Sequence, residues 1–140
     1  MGTVLVVDTD PDTRSRVESA IANAGNTVLV VSSLGDAFDT IGEGGIDVVV
    51  VDSYDPRVGV ADLARKLDAL PDAPPLVLVS RSPHAPEISA RIGVAAFVAK
   101  PLDVAELVAA IQRLLGEVRP VRVVETAVDD DPSAPVRQVR

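Results

Sequence analysis

The sequence predicts an open, doubly wound α/β domain, and three observations carry that prediction. Five short valine-rich apolar runs recur between residues 3 and 99, stretches of helical periodicity alternate with them, and the alternation closes by Leu115. Continuous apolar runs, as opposed to strict apolar/polar alternation, fit parallel strands covered on both faces. Five such strands are too few to close an eight-stranded barrel, so the sheet stays open.

Each element follows in chain order. TVLVV at 3–7 is the first strand. Val17, Ala20, Ile21 and Ala24 then fall at i, i+3, i+4 and i+7, with Gly25 as the stop of the first helix. TVLVV recurs at 27–31, but the segments after the two runs differ, so they are similar buried strands and not a repeat. Leu34, Ala37, Phe38 and Ile41 make a second helix before Gly42, and IDVVVV at 46–51 is the third strand. Val60, Leu63, Ala64, Leu67 and Leu70 give a third helix before Pro71, and PLVLV at 75–79 a fourth strand. The fourth helix, about Glu87 to Ile92, is short and weakly patterned, and AAFVA at 95–99 is the fifth strand. The fifth helix is the clearest. Asp103 is its N-cap with Glu106 three residues on, and Val104, Leu107, Val108, Ile111, Leu114 and Leu115 form its stripe.

A chain of 140 residues that is 47% apolar supports one domain with a core. We place it at residues 1–116, with residues 117–140 as a flexible tail. The tail carries the acidic run Asp129, Asp130 and Asp131 and then Pro, Ser and Ala, and reads as solvated. VRPVRVVETAV within it alternates enough for a short strand, which Pro120 interrupts, and poor packing is expected.

Composition excludes several functions. The formal charge is −8, and residues 1–116 hold −7 of it, so the surface repels phosphate backbones; aromatic residues at 2% leave little on which to stack bases. No nucleic-acid partner is expected. Without cysteine and with a single histidine, His84, which reads as an exposed loop residue, no zinc site is expected. No signal peptide or membrane span is visible, and a cytoplasmic location without a membrane partner is the expectation.

In open α/β sheets ligands bind beyond the carboxyl ends of the strands. Strand one ends in Asp8, Thr9 and Asp10, strand three in Asp52, strand four in Ser80, and strand five in Lys100-Pro101. Clustered carboxylates call for a hard cation with oxygen ligands, such as Mg²⁺. With the metal neutralising phosphoryl oxygens, one carboxylate can attack phosphorus while a lysine and a hydroxyl meet the remaining oxygens. Asp52, after the most apolar strand, is the best nucleophile. Asp10 and Asp12 also read as caps of the first helix.

VLVVDTDPDTRSRVESAIANAG, GIDVVVVDSYDP, LVLVSRS and AAFVAKPLD, in this order and spacing, resemble the receiver domains of bacterial two-component response regulators, over residues 3 to about 115. The resemblance implies a flavodoxin-like (βα)5 fold with strand order 2-1-3-4-5 and a phosphorylated signalling domain, not an enzyme in the ordinary sense. It implies Asp52 as phosphoacceptor, Ser80 as the switch hydroxyl, Lys100 as the partner of the phosphoryl group, and Phe97 at the aromatic switch position, though Phe97 also reads as core. Asp8, Asp52 and the backbone carbonyl of Tyr54 match the metal ligands, and Lys100-Pro101 is expected to be cis. The implied partners are a histidine kinase or phosphotransfer protein and a downstream protein meeting the surface from Glu87 to Leu115.

Two positions depart from the family pattern. Thr9 stands where a second acid normally ligates the metal, so Mg²⁺ is expected to bind weakly, with Thr9 or Asp10 as possible stand-ins. Gly59 falls one residue earlier than the family's usual Asp-Gly. Thr9 favours an alternative reading, a pseudo-receiver that docks without phosphorylation. A weaker alternative is a haloacid-dehalogenase-like phosphatase, whose opening motif VVDTDPDT also resembles, with Asp8 as nucleophile and Asp10 as acid/base. That reading leaves Asp52 without a role. No recognisable DNA-reading module follows the fifth helix, so a single-domain regulator working through protein contacts is the expectation.

Overall fold

The computed structural model describes residues 2–8, 11–53 and 59–123, with backbone alone at 8, 11–14 and 117–123. Along the chain these form β1 (Thr3–Asp8), α1 (Pro11–Asn23), β2 (Thr27–Val31), α2 (Leu34–Gly42), β3 (Val48–Asp52), α3 (Val60–Asp68), β4 (Leu76–Ser80), α4 (Ala85–Ile92), β5 (Ala96–Ala99) and α5 (Val104–Val123). The strands are all parallel and stand in the order β2-β1-β3-β4-β5, as the family resemblance implies. The chain winds outward from β1 to β2 and then returns to place β3 on the other side of β1. That reversal opens a crevice beyond the carboxyl ends of β1 and β3.

Strand parity divides the core in two. Val4 and Val6, Val48 and Val50, Val77 and Val79, and Val98 face Val17 and Ile21 of α1 and Leu107, Ile111, Leu114 and Leu115 of α5. The alternate residues Leu5, Val7, Val49, Val51, Leu76 and Leu78 face Ala37 and Ile41 of α2 and Val60, Leu63 and Leu67 of α3. Both faces of the inner strands β1, β3 and β4 are therefore dry, which is why these lack the polar alternation of a half-exposed sheet. The expected burial of the second TVLVV run is corrected, because β2 lies at the sheet edge, is only partly covered and leaves Leu29 42% exposed.

Chain ends and caps explain where the elements begin. Asp47 carboxylate accepts from the Thr3 backbone N–H at 2.8 Å, and the Asp47 N–H donates back to the Thr3 carbonyl, also at 2.8 Å. Ile46 and Asp47 thus form a tether ahead of β3, which starts two residues later than its apolar run. Ser33 Oγ caps α2 by accepting from the Asp36 N–H at 3.0 Å. Asp103 Oδ1 caps α5 by accepting from the N–H groups of Ala105 and Glu106 at 3.0 and 3.2 Å, as expected for that residue. The expected caps Asp10 and Asp12 have no described side chains. His84 is exposed, as expected, and stands at the N-cap position of α4.

Residues 117–123, where the sequence allows at most an interrupted edge strand, continue α5 as helix through Val123. Once a helix is nucleated and anchored, each added residue gains a backbone hydrogen bond for one more fixed pair of dihedrals, whereas a new edge strand must recruit a partner. Residues 124–140 lie outside the described residues.

Gly59 begins α3 at φ 86°. A β-carbon there would stand 2.5 Å from Leu34 Cδ1 of α2. The left-handed backbone and the close approach act together, so Gly59→Ala is expected to destabilise the fold by about 1–3 kcal/mol. Chemical denaturation checks this; an unchanged midpoint would mean that α2 and α3 yield freely at their contact.

Candidate functional site

The site is built by register. Asp8 and Asp52 are paired positions at the ends of the adjacent strands β1 and β3, and Asp52 is paired on its other side with Val79 of β4. The ladder continues past the strand ends, with Ser53 N–H donating to the Val79 carbonyl and Lys100 N–H to the Ser80 carbonyl, both at 3.0 Å. These bonds fix the backbone at Asp52 and Lys100, whose strands β3 and β5 are two spacings, about 10 Å, apart. Both residues fall in phase with the row facing α1 and α5, through Val50 and Val98 respectively.

Lys100 spans that gap with its aliphatic stem. Its Nζ lies 2.7 Å from Asp52 Oδ2, and each side chain is only 9% exposed. Removed from most of the water, neither charge is tolerable without the other, so the pair holds the carboxylate in place at the crevice. The contact expected between these residues is present, and Lys100-Pro101 is cis.

Ser80 is 1% exposed at the end of β4. Its Oγ accepts from the Ser82 N–H at 3.1 Å, and Ser82 Oγ accepts in turn from the His84 N–H at 3.2 Å. The Ser80 hydroxyl proton is thus left to donate elsewhere, and a pair of serine turns leads from β4 to the start of α4. Ser82 has no signal in the sequence beyond a serine in a loop. Phe97 is half-buried and packs with the cluster beneath α2 and α3. Thr9, Asp10 and Tyr54 lie outside the described residues, as does the side chain of Asp8.

A carboxylate at Asp52 beside the paired backbone position of Asp8 is donor chemistry that suits a hard cation. Among the described residues no group of three or more Asp, Glu, His or Cys converges as a metal site.

Beside the ion pair, Arg16 of α1, Arg81 just after β4, and Lys100, Pro101 and Leu102 line a cleft of about 400 Å³. Arg16 and Arg81 carried no sequence signal. Each is one charged residue on an exposed position, and only the fold brings them together.

This geometry agrees with what the chain is similar to. The family model of the response regulator receiver domain matches residues 4–112. The DNA-binding transcriptional regulator NtrC of Rhizobium meliloti (strain 1021) is 31% identical over 134 residues, covering 93% of this chain and 28% of that protein. The chain therefore spans little more than a quarter of that relative. Among solved structures, the receiver domain of the Francisella response regulator 1452 superposes with a TM-score of 0.75 at 21% identity, covering 85% of this chain and all of that one. The signal receiver domain of a signal transduction histidine kinase from Syntrophus aciditrophicus gives 0.76 at 22% identity, covering 91% and 99%. With the sheet order, the crevice and the matched family all in agreement, the chain belongs to the response regulator receiver domains.

Proposed function

We infer that this chain accepts a phosphoryl group on Asp52 from a histidine kinase or phosphotransfer protein and passes the state on through protein contacts. Receiver domains are signalling modules that interact with such donors and with downstream partners, and they generally bind Mg²⁺ at their acidic pocket. The observation that carries the reading here is the buried pair of Asp52 and Lys100 at the carboxyl end of β3.

In the step proposed, an Asp52 carboxylate oxygen attacks phosphorus. The bond from phosphorus to the donor's imidazole nitrogen breaks, its electron pair stays on that nitrogen, and the acyl phosphate forms on Asp52. Lys100 trades its contact with the carboxylate for one with a phosphoryl oxygen, and the Ser80 hydroxyl donates to another. Asp8, Asp52 and the Tyr54 carbonyl are the groups that would hold Mg²⁺, which when bound supplies positive charge to the phosphoryl oxygens. With Thr9 in place of an acid, the ion is held weakly. The output surface is the region from Glu87 to Leu115, over α4, β5 and the first part of α5. We propose a cytoplasmic regulator. Among the described residues no helix is long and apolar enough to cross a membrane.

Intact-mass measurement after incubation with Mg²⁺ and acetyl phosphate tests the reading. One added phosphoryl group on the wild type and none on Asp52→Asn is the expected result. Thr9 favours the second reading, a docking module without phosphorylation, and an unmodified wild type under saturating donor would establish it.

A further inference from the structure

The edge of the sheet at β2 is built without the usual guards. Among the described residues β2 pairs only with β1, and its sequence TVLVV has no charge, proline or glycine. Edge strands ordinarily carry such residues, because a row of outward N–H and C=O groups is a template for one more strand. The neutral character extends beyond the strand itself. From Ser19 to Gly35 there is no Asp, Glu, Lys, Arg or His, in a chain that is 24% charged. Leu29, the central residue of β2, is the one large apolar side chain exposed among the described residues.

Register decides which backbone groups face outward. Thr27 is paired with Thr3, and its N–H donates to the Gly2 carbonyl at 2.9 Å. In a parallel ladder alternate residues direct both backbone groups to the same neighbour, so Thr27, Leu29 and Val31 turn theirs to β1. Val28 and Val30 therefore turn theirs away from it, one on each side of Leu29.

We propose that this edge pairs with the same edge of a second copy of the chain, antiparallel about a two-fold axis that passes through the sheet at Leu29. Val28 of each copy then meets Val30 of the other, and each such pair exchanges two N–H to C=O bonds. Thr27 meets Val31. Leu29 meets its own counterpart at a pair without hydrogen bonds, where opposed Cα atoms stand about 4.5 Å apart and side chains are nearest. The centre of the outward backbone row and the exposed leucine thus fall on one residue, which is what a self-complementary contact requires. The uncharged stretch lets two copies of an acidic chain meet there without setting like charges opposite one another. β5 is the other edge of the sheet, so the pairing leaves it open.

Sedimentation equilibrium of the full chain, from about 1 µM to about 1 mM, tests the pairing. Two five-residue edges bury little surface, so a reversible dimer in the micromolar range or weaker is expected. Leu29→Lys and Leu29→Glu, each alone, should weaken it at least about 100-fold, because an apolar pair at the axis becomes two like charges. The position is exposed, and thermal melts confirm that both variants fold. An equimolar mixture of the two should associate more tightly than either alone, since opposite charges then meet at the axis. A general loss of apolar surface would not produce that recovery. A monomer throughout the range, a dimer that either substitution leaves unchanged, or a loss that mixing does not reverse overturns the proposal.

Discussion

Lys100→Ala is expected to lose stability and phosphoacceptor chemistry together. The Asp52 side chain is 9% exposed and has the lysine Nζ at 2.7 Å, so truncation leaves a carboxylate in a poorly hydrated position without its cation. Breaking a buried pair from one side costs about 3–5 kcal/mol, and the crevice, open at one end, places this case near the lower figure. The deficit should shrink in acid, where the Asp52 carboxyl takes up a proton and needs no counter-charge. Adding Asp52→Asn to Lys100→Ala should recover most of the loss, because the orphaned charge is then gone. Modification by acetyl phosphate should fall about 10²- to 10³-fold in Lys100→Ala, the range seen when one donor to a developing anion is removed. Denaturation across pH and intact-mass kinetics check both parts. A variant with wild-type stability and wild-type modification rate would show that the pair has neither role.

Thr9→Asp is expected to act in the opposite direction. Asp8 and Asp52 are paired backbone positions at the crevice, and on the reading proposed above Thr9 stands where the family pattern has a second acid. Restoring it should tighten Mg²⁺ by about 10- to 100-fold and speed modification of Asp52 accordingly. Tyr54 is the only tyrosine in the chain and lies two residues beyond Asp52, so its fluorescence offers a direct titration signal that does not depend on phosphorylation. Asp10→Ala should change little. The reverse pattern, with Mg²⁺ binding abolished by Asp10→Ala and unaffected by Thr9→Asp, would make Asp10 the working second acid and Thr9 a spacer.

Much of this architecture was legible because its signals are local and strong. Runs such as VVVV before Asp52 and LVLV before Ser80 identify strands covered on both sides, and the residue that follows each run identifies what stands at the crevice. Asp103 could be read as a cap because capping is decided within four residues. The alternating valines and Pro120 of residues 117–123 suggest a poorly packed tail with at most an edge contact, yet these residues continue α5, because an anchored helix propagates through a weak local pattern. Asn26 shows another limit. It is buried, takes the Gly2 N–H on Oδ1 at 3.0 Å and donates from Nδ2 to the Ile21 carbonyl, a structural role with no pattern in sequence. The cleft of Arg16 and Arg81 was hidden for the same reason. Charged residues on solvated faces look alike until the elements that carry them are brought together.

The strand order has a consequence for how competence arises during synthesis. Asp52 and Ser80 are in place once the first four strands have paired, but the ammonium that answers the carboxylate comes from the turn after β5, near the end of the fold. A chain that emerges N-terminus first therefore holds an acceptor without its counter-ion until the last strand docks. Chains cut or stalled before Ala96 would present the aspartate to a kinase but lack the charge that settles it. On the proposal that Asp52 is the acceptor, phosphate would accumulate mainly on chains whose last strand has docked.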